Sequence, residues 1–150
     1  MTNFKVFSIP KHLIPETIPN PKSWDKYDDN CNRGDINLND SVLDNILSFS
    51  NTKLKRNKKE YTVHHVKYSI NQTPYIIDEH QDWCKLTLIV YIDKSPDIKD
   101  EFWVGNDRVE ENVWLTSDTT YKCLAFWGNV PHHGKIFGNG RREILCFFSD

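Results

Sequence analysis

KLTLIVYI, residues 85–92, is a short run dominated by Leu, Ile, Val and Tyr, the composition of a buried β-strand. The segments around it have the same character. YTVHHVKYSI (61–70), PYIIDEH (74–80), EFWV (101–104), VEENVWLT (109–116), YKCLAFWG (121–128) and REILCFF (142–148) are β-branched and aromatic. Between them stand NQTP, DKSPD, GND, TSDTT and GNG, which are turn chemistry. About seven strands in about 90 residues, with almost no helical pattern among them, predict a sandwich or barrel.

Ahead of this region the chain reads differently. Residues 1–39 are rich in Pro, Asn and Asp with scattered aromatics, and we read them as an irregular segment wrapping a core. One helix is predicted next. Asp40 or Ser41 can cap it, and Val42, Leu43, Ile46, Leu47 and Phe49 fall on one face at helical spacing. The run KLKRNKK from Lys53 to Lys59 reads as a solvated loop. The organisation expected is a single domain over 1–150, with residues 1–60 as the N-terminal segment and helix and 61–150 as the β core.

At 150 residues the chain can bury one core. Rings carry much of the apolar burial, with five Trp, six Tyr and eight Phe. A net charge of −2 leaves no basic footprint for nucleic acid or an anionic membrane, so neither is expected as a partner. No apolar stretch reaches bilayer-spanning length, and the proline-interrupted N-terminus lacks a signal-peptide core. An intracellular, soluble (cytoplasmic) protein is expected. Cys31, Cys84, Cys123 and Cys146 have no C-x-x-C spacing and read as small apolar residues rather than a zinc cage.

Chemistry concentrates in two places. In IIDEHQDW, residues 76–83, an extended strand would project His80 and Asp82 to one side, with Gln81 turned away. A nitrogen and a carboxylate oxygen so placed are two ligands of the facial triad used for Fe(II). In NVPHHGKIFGNGRREILCFF, residues 129–148, a histidine pair is followed by a Gly-rich turn and an apolar strand. Arg142 shares a strand face with Ile144, Cys146 and Phe148, and Arg141 with Glu143, Leu145 and Phe147. One arginine must then face inward and needs an anionic partner. A small dicarboxylate suits the guanidinium fork, and so does an internal Asp or Glu.

The ordered set H-Q-D, K-L-T-L-I-V-Y-I-D and P-H-H-G…G-R-R-E-I-L-C-F-F resembles the iron(II)/2-oxoglutarate-dependent dioxygenases, in particular their prolyl-hydroxylase-like branch. The resemblance covers roughly residues 61–149 and implies a double-stranded β-helix, or jelly roll, beneath a short helical and irregular layer. It implies Fe(II) as metal, 2-oxoglutarate as co-substrate and O2 as oxidant. The activity implied is hydroxylation of an unactivated C–H, with a prolyl residue of a peptide or protein, or a small molecule, as substrate. By position, His80, Asp82 and a distal histidine would hold the iron. His132 and His133 each precede an arginine by nine residues, Arg141 and Arg142 respectively. The G-x-R-x-x-L-x-F pattern of Gly140, Arg142, Leu145 and Phe147 favours His133 with Arg142. Tyr91 matches the tyrosine that supports the far carboxylate, and it shares a face with Thr87 and Ile89. Tyr68 falls where an aromatic near the co-substrate is common, and core packing explains it equally. Trp83 and Trp127 can wall the site or fill the core. His64 and His65 face opposite ways on one strand, and His12 carries no signal.

The chain departs from the family pattern at FWVGND, residues 102–107, where one glycine replaces the usual G-G-x-L turn. Its stretch from Asp82 to His133 is also short, which implies trimmed substrate loops. Two other classes fit the same residues. One is a cupin-like metal enzyme that does not use 2-oxoglutarate; the other is a non-catalytic jelly-roll binding module.

Overall fold

The computed structural model describes residues 3–51, 60–71, 74–114 and 117–150. Residues 53–59 of the basic run, 72 and 73 of the NQTP turn, and 115 and 116 of the VEENVWLT segment lie outside the described residues. The strands are β1 (Phe4–Pro10), β2 (Asp25–Asp28), β3 (Cys31–Ile36), β4 (Tyr61–Ile70), β5 (Tyr75–His80) and β6 (Leu86–Lys94). They continue with β7 (Lys99–Val104), β8 (Asp107–Val109), β9 (Thr120–Trp127), β10 (His132–Phe137) and β11 (Gly140–Ser149). Among the described residues one α-helix, α1 (Val42–Leu47), stands before β4. No helix among the described residues is long and apolar enough to cross a membrane.

The protein is mainly β, with two antiparallel sheets. The larger runs β1-β9-β6-β11-β4-β3-β2 and the smaller β5-β10-β7-β8. Alternation along the strands sorts the side chains into two cores. Between the sheets lie Val66, Ile89, Tyr91, Leu124, Phe126 and Ile144 of the large sheet, against Val104 and Val109 of the small one. On the other face of the large sheet, Val63, Leu88, Val90, Ala125, Leu145 and Phe147 pack against Leu43 and Ile46 of α1 and against Phe7 and Ile9. Phe147 is wholly buried, so truncation to alanine would cost about 3–5 kcal/mol.

Four sequence expectations change. Residues 1–39 are not merely irregular, because β1 to β3 pair into the large sheet, β1 along β9 and β3 along β4. VEENVWLT contributes only the end of β8 and a 3-10 turn over Glu111–Trp114. The helix is six residues long with Ser41 at its cap position, yet no side chain makes the capping bond, and Phe49 is exposed. HHGKIF, read as the approach to a Gly-rich turn, is strand β10, central in the small sheet between β5 and β7.

The β10–β11 reversal uses glycines where no other residue fits. Gly138 has φ +95°, and a Cβ there would meet the Asp97 carbonyl oxygen at 2.1 Å. The Asn139 N–H donates to Asp97 Oδ2 at 2.9 Å and the Arg141 N–H to Ser95 Oγ at 2.8 Å. The loop after β6 therefore clamps the turn and fixes which face of β11 turns inward.

Candidate metal centre

His80 closes β5 at the edge of the small sheet, directly opposite His132, the first residue of β10. Asp82 lies two residues past the end of β5, outside regular strand. Its N–H donates to the Gly128 carbonyl at 2.8 Å. Gly128 permits this approach: a Cβ there would come within 2.7 Å of the Cys84 carbonyl oxygen and 2.9 Å of Thr87 Oγ1. The two residues thus converge because a loop is tied down, rather than through strand periodicity.

One ligand atom from each of His80, Asp82 and His132 lies within 4.8 Å of the others. His80 Nε2 is 3.6 Å from Asp82 Oδ1, and His132 Nε2 is 3.2 Å from Asp82 Oδ2. Both rings are oriented from behind. His80 Nδ1 lies 2.8 Å from the Asp78 carbonyl oxygen and His132 Nδ1 2.8 Å from that of Val130. A carbonyl only accepts, so each Nδ1 is the donor there, and each ring turns its Nε2 to the cluster. Thr87 Oγ1 donates to Asp82 Oδ2 at 2.7 Å. Burial works against the Asp82 charge, but bonds from His132 and Thr87 outweigh it and hold the carboxyl below its ordinary range. His132 is 4% exposed and packs edge-on to Phe126, whereas His80 is 47% exposed. The cluster sits at a lip, with one wall open.

The third member of the cluster is His132 rather than His133. His133 points the other way, stacked on Trp103 at 6.1 Å between centroids, with Nδ1 4.0 Å from Glu79. The register explains it. His132, Gly134 and Ile136 share one face of β10, and Ile136 is buried in the core. His133 belongs to the opposite parity.

Arg142 takes the inward face of β11 and Arg141 the outward one. Arg142 is 4% exposed. Its Nη2 and Nε each lie 2.9 Å from Asp100 Oδ2, and Trp114 Nε1 donates to that same oxygen at 2.9 Å. Burial opposes the guanidinium charge, but Asp100 more than offsets it and Arg142 stays firmly protonated. Its Nη1 is buried with no partner among the described residues. The rings of Tyr68 and Trp114 flank it at 4.7 and 5.6 Å, and Tyr91 packs edge-on to Trp114. Burial pushes the hydroxyls of Tyr68 and Tyr91 up, so both stay neutral. Cys146, on the Arg142 face, has its thiol pushed up to about 12, chiefly by burial, and feels both Arg142 and Asp82.

The remaining candidates separate cleanly. Thr87 is at the cluster. Trp83 is fully exposed and Trp127 partly so, and neither fills the core. His64 pairs with Asp35 and His65 with Glu143. Asp100 was not anticipated. It shares strand parity with Phe102 and Val104, an acid in line with two core residues, and that is the signal that could have found it.

Fold and site together define a mainly β protein with a candidate metal centre of two imidazoles and a carboxylate. No family model and no curated protein matches the chain. Among solved structures it is similar to IDO from Bacillus thuringiensis, at 14% identity over 99% of this chain and 73% of that one, with a TM-score of 0.49. That likeness is too slight to bear on function.

Proposed function

We propose that the chain is an Fe(II)- and 2-oxoglutarate-dependent oxygenase on a double-stranded β-helix, hydroxylating an unactivated C–H. The observation that carries this reading is the cluster of His80 Nε2, Asp82 and His132 Nε2 within 4.8 Å. Two imidazoles and one carboxylate suit Fe(II) and leave coordination positions open for a bidentate co-substrate and O2. The buried Arg142 Nη1, without a partner among the described residues, suits the far carboxylate of 2-oxoglutarate. With those groups bound, the centre would supply oxidative decarboxylation of the 2-oxo acid coupled to C–H oxidation.

The chain's own residues would do the rest. The Asp78 and Val130 carbonyls fix the imidazole tautomers, and Thr87 holds one carboxylate oxygen of Asp82 so that the other can turn to the metal. Arg142 orients the co-substrate, with Tyr91 beside it. Ile89, Phe126 and Ile144 keep water from the floor between the sheets. The exposed His80 side leaves room for a substrate, a prolyl residue of a peptide or a small molecule. Four free cysteines suit a reducing, cytoplasmic setting.

The test is binding of 2-oxoglutarate to the Fe(II)-loaded protein without oxygen, followed by succinate release on adding it. A metal-loaded protein that neither binds 2-oxoglutarate nor forms succinate defeats the proposal. One observation favours a second reading, the cupin-like metal enzyme without 2-oxoglutarate. Asp100 already neutralises Arg142, so the arginine does not need a co-substrate to be stable in the core.

A further inference from the structure

We propose that Asp100 is a co-substrate selectivity residue: by holding one edge of the Arg142 guanidinium, it lowers the preference of the site for a 2-oxo acid bearing a far carboxylate. The proposal rests on the oxygenase reading above and concerns only how the arginine end of that site discriminates.

A free, buried arginine would offer two donor edges and a full positive charge, and it would select a dicarboxylate strongly. Arg142 is not free in this sense. Asp100 takes Nε and Nη2 together, at 2.9 Å each, and its side chain is only 9% exposed. It is also anchored from behind, because Trp114 Nε1 donates to the same carboxylate. An acid held on two sides does not simply swing away when a ligand arrives. The other groups around the guanidinium, Tyr68, Tyr91, Trp114 and Cys146, carry no charge. The local pair is therefore neutral, and Nη1 is the one guanidinium nitrogen without a partner among the described residues. A far carboxylate would gain one charge-assisted bond there, but it would be repelled by Asp100 across the same guanidinium. A 2-oxo acid of equal length ending in a methyl group lacks both terms.

The experiment compares two matched probes, 2-oxopentanedioate (2-oxoglutarate) and 2-oxopentanoate. Calorimetric titration into the Mn(II)-loaded full chain gives both dissociation constants without turnover. The native protein is expected to prefer the dicarboxylate by less than about tenfold. Asp100→Asn, which keeps the shape and an acceptor for Trp114, is expected to raise that preference by about tenfold or more, the scale of one charged hydrogen bond regained. A native preference beyond a hundredfold overturns the inference, whatever the variant does. So does an Asp100→Asn preference equal to or below the native one. If neither probe binds the metal-loaded native protein, the oxygenase reading itself fails and takes this inference with it.

Discussion

Replacing His132 with alanine should remove most of the stabilisation that a divalent metal gives this protein, while replacing His133 should remove none. His132 is one of three side chains whose ligand atoms lie within 4.8 Å of each other; His133 is stacked on Trp103, on the opposite strand face. At a Mn(II) concentration 100 times the dissociation constant, a metal that binds only the folded state adds about 2.7 kcal/mol. In a chain of this size that is a rise of about 5–11 °C in Tm. Loss of a group that only orients a metal-binding side chain costs about 10–100-fold in affinity, so loss of a ligand should cost at least about a hundredfold. The metal concentration then only equals the dissociation constant. The stabilisation falls to about 0.4 kcal/mol and the rise to about 1–2 °C. Thermal melts of each variant with and without Mn(II) read this as a difference, so the lost packing of His132 on Phe126 cancels. A full metal-dependent rise in His132→Ala, or its loss in His133→Ala, would refute the reasoning.

Thr87→Val removes the donor to Asp82 Oδ2, and the same melts should show metal affinity about tenfold lower in a folded protein. Arg142→Met leaves Asp100 buried without its cation and should cost about 3–5 kcal/mol in urea unfolding; adding Asp100→Asn should recover much of that, and simple additivity would contradict the pairing. Glu143 is held below its ordinary value of 4.5, first by its hydrogen bond to His65. Its contribution is present in full above about pH 4.5 and fades as the pH falls through the folded-state value. Glu143→Gln should therefore narrow the stability difference between pH 6 and pH 3; an unchanged difference would rule this out.

Much of the large sheet is legible because β4, β6, β9 and β11 carry their own runs of β-branched, aromatic and other apolar residues. β1 to β3 are not. CNRGDI has hardly any apolar pattern of its own and becomes a strand because β4 offers it a ladder, which is tertiary context overriding local preference. The inward face of Arg142 follows from parity within one strand. Parity cannot be carried back nine residues to a histidine, because the Gly138–Asn139 reversal intervenes and β10 belongs to the other sheet. Ile136, four residues after His132, held the usable information: a core residue of the same parity. Asp100 stays hidden in the sequence because the apolar pattern of that strand starts only at Glu101–Phe102.

The position of His80 at the end of an edge strand has a kinetic consequence. Among the described residues β5 is hydrogen-bonded on one side only, to β10, and its amides form a ladder that can peel from its outer end. Asp82 and His132 are held by loop and core, so they form the standing half of the centre, and His80 is the arm that closes last. A bound cation would then act as a clasp across β5 and β10. Hydrogen exchange of residues 75–80 should slow on metal loading far more than exchange in β6 or β11, which are sealed within the large sheet whether or not the centre is filled.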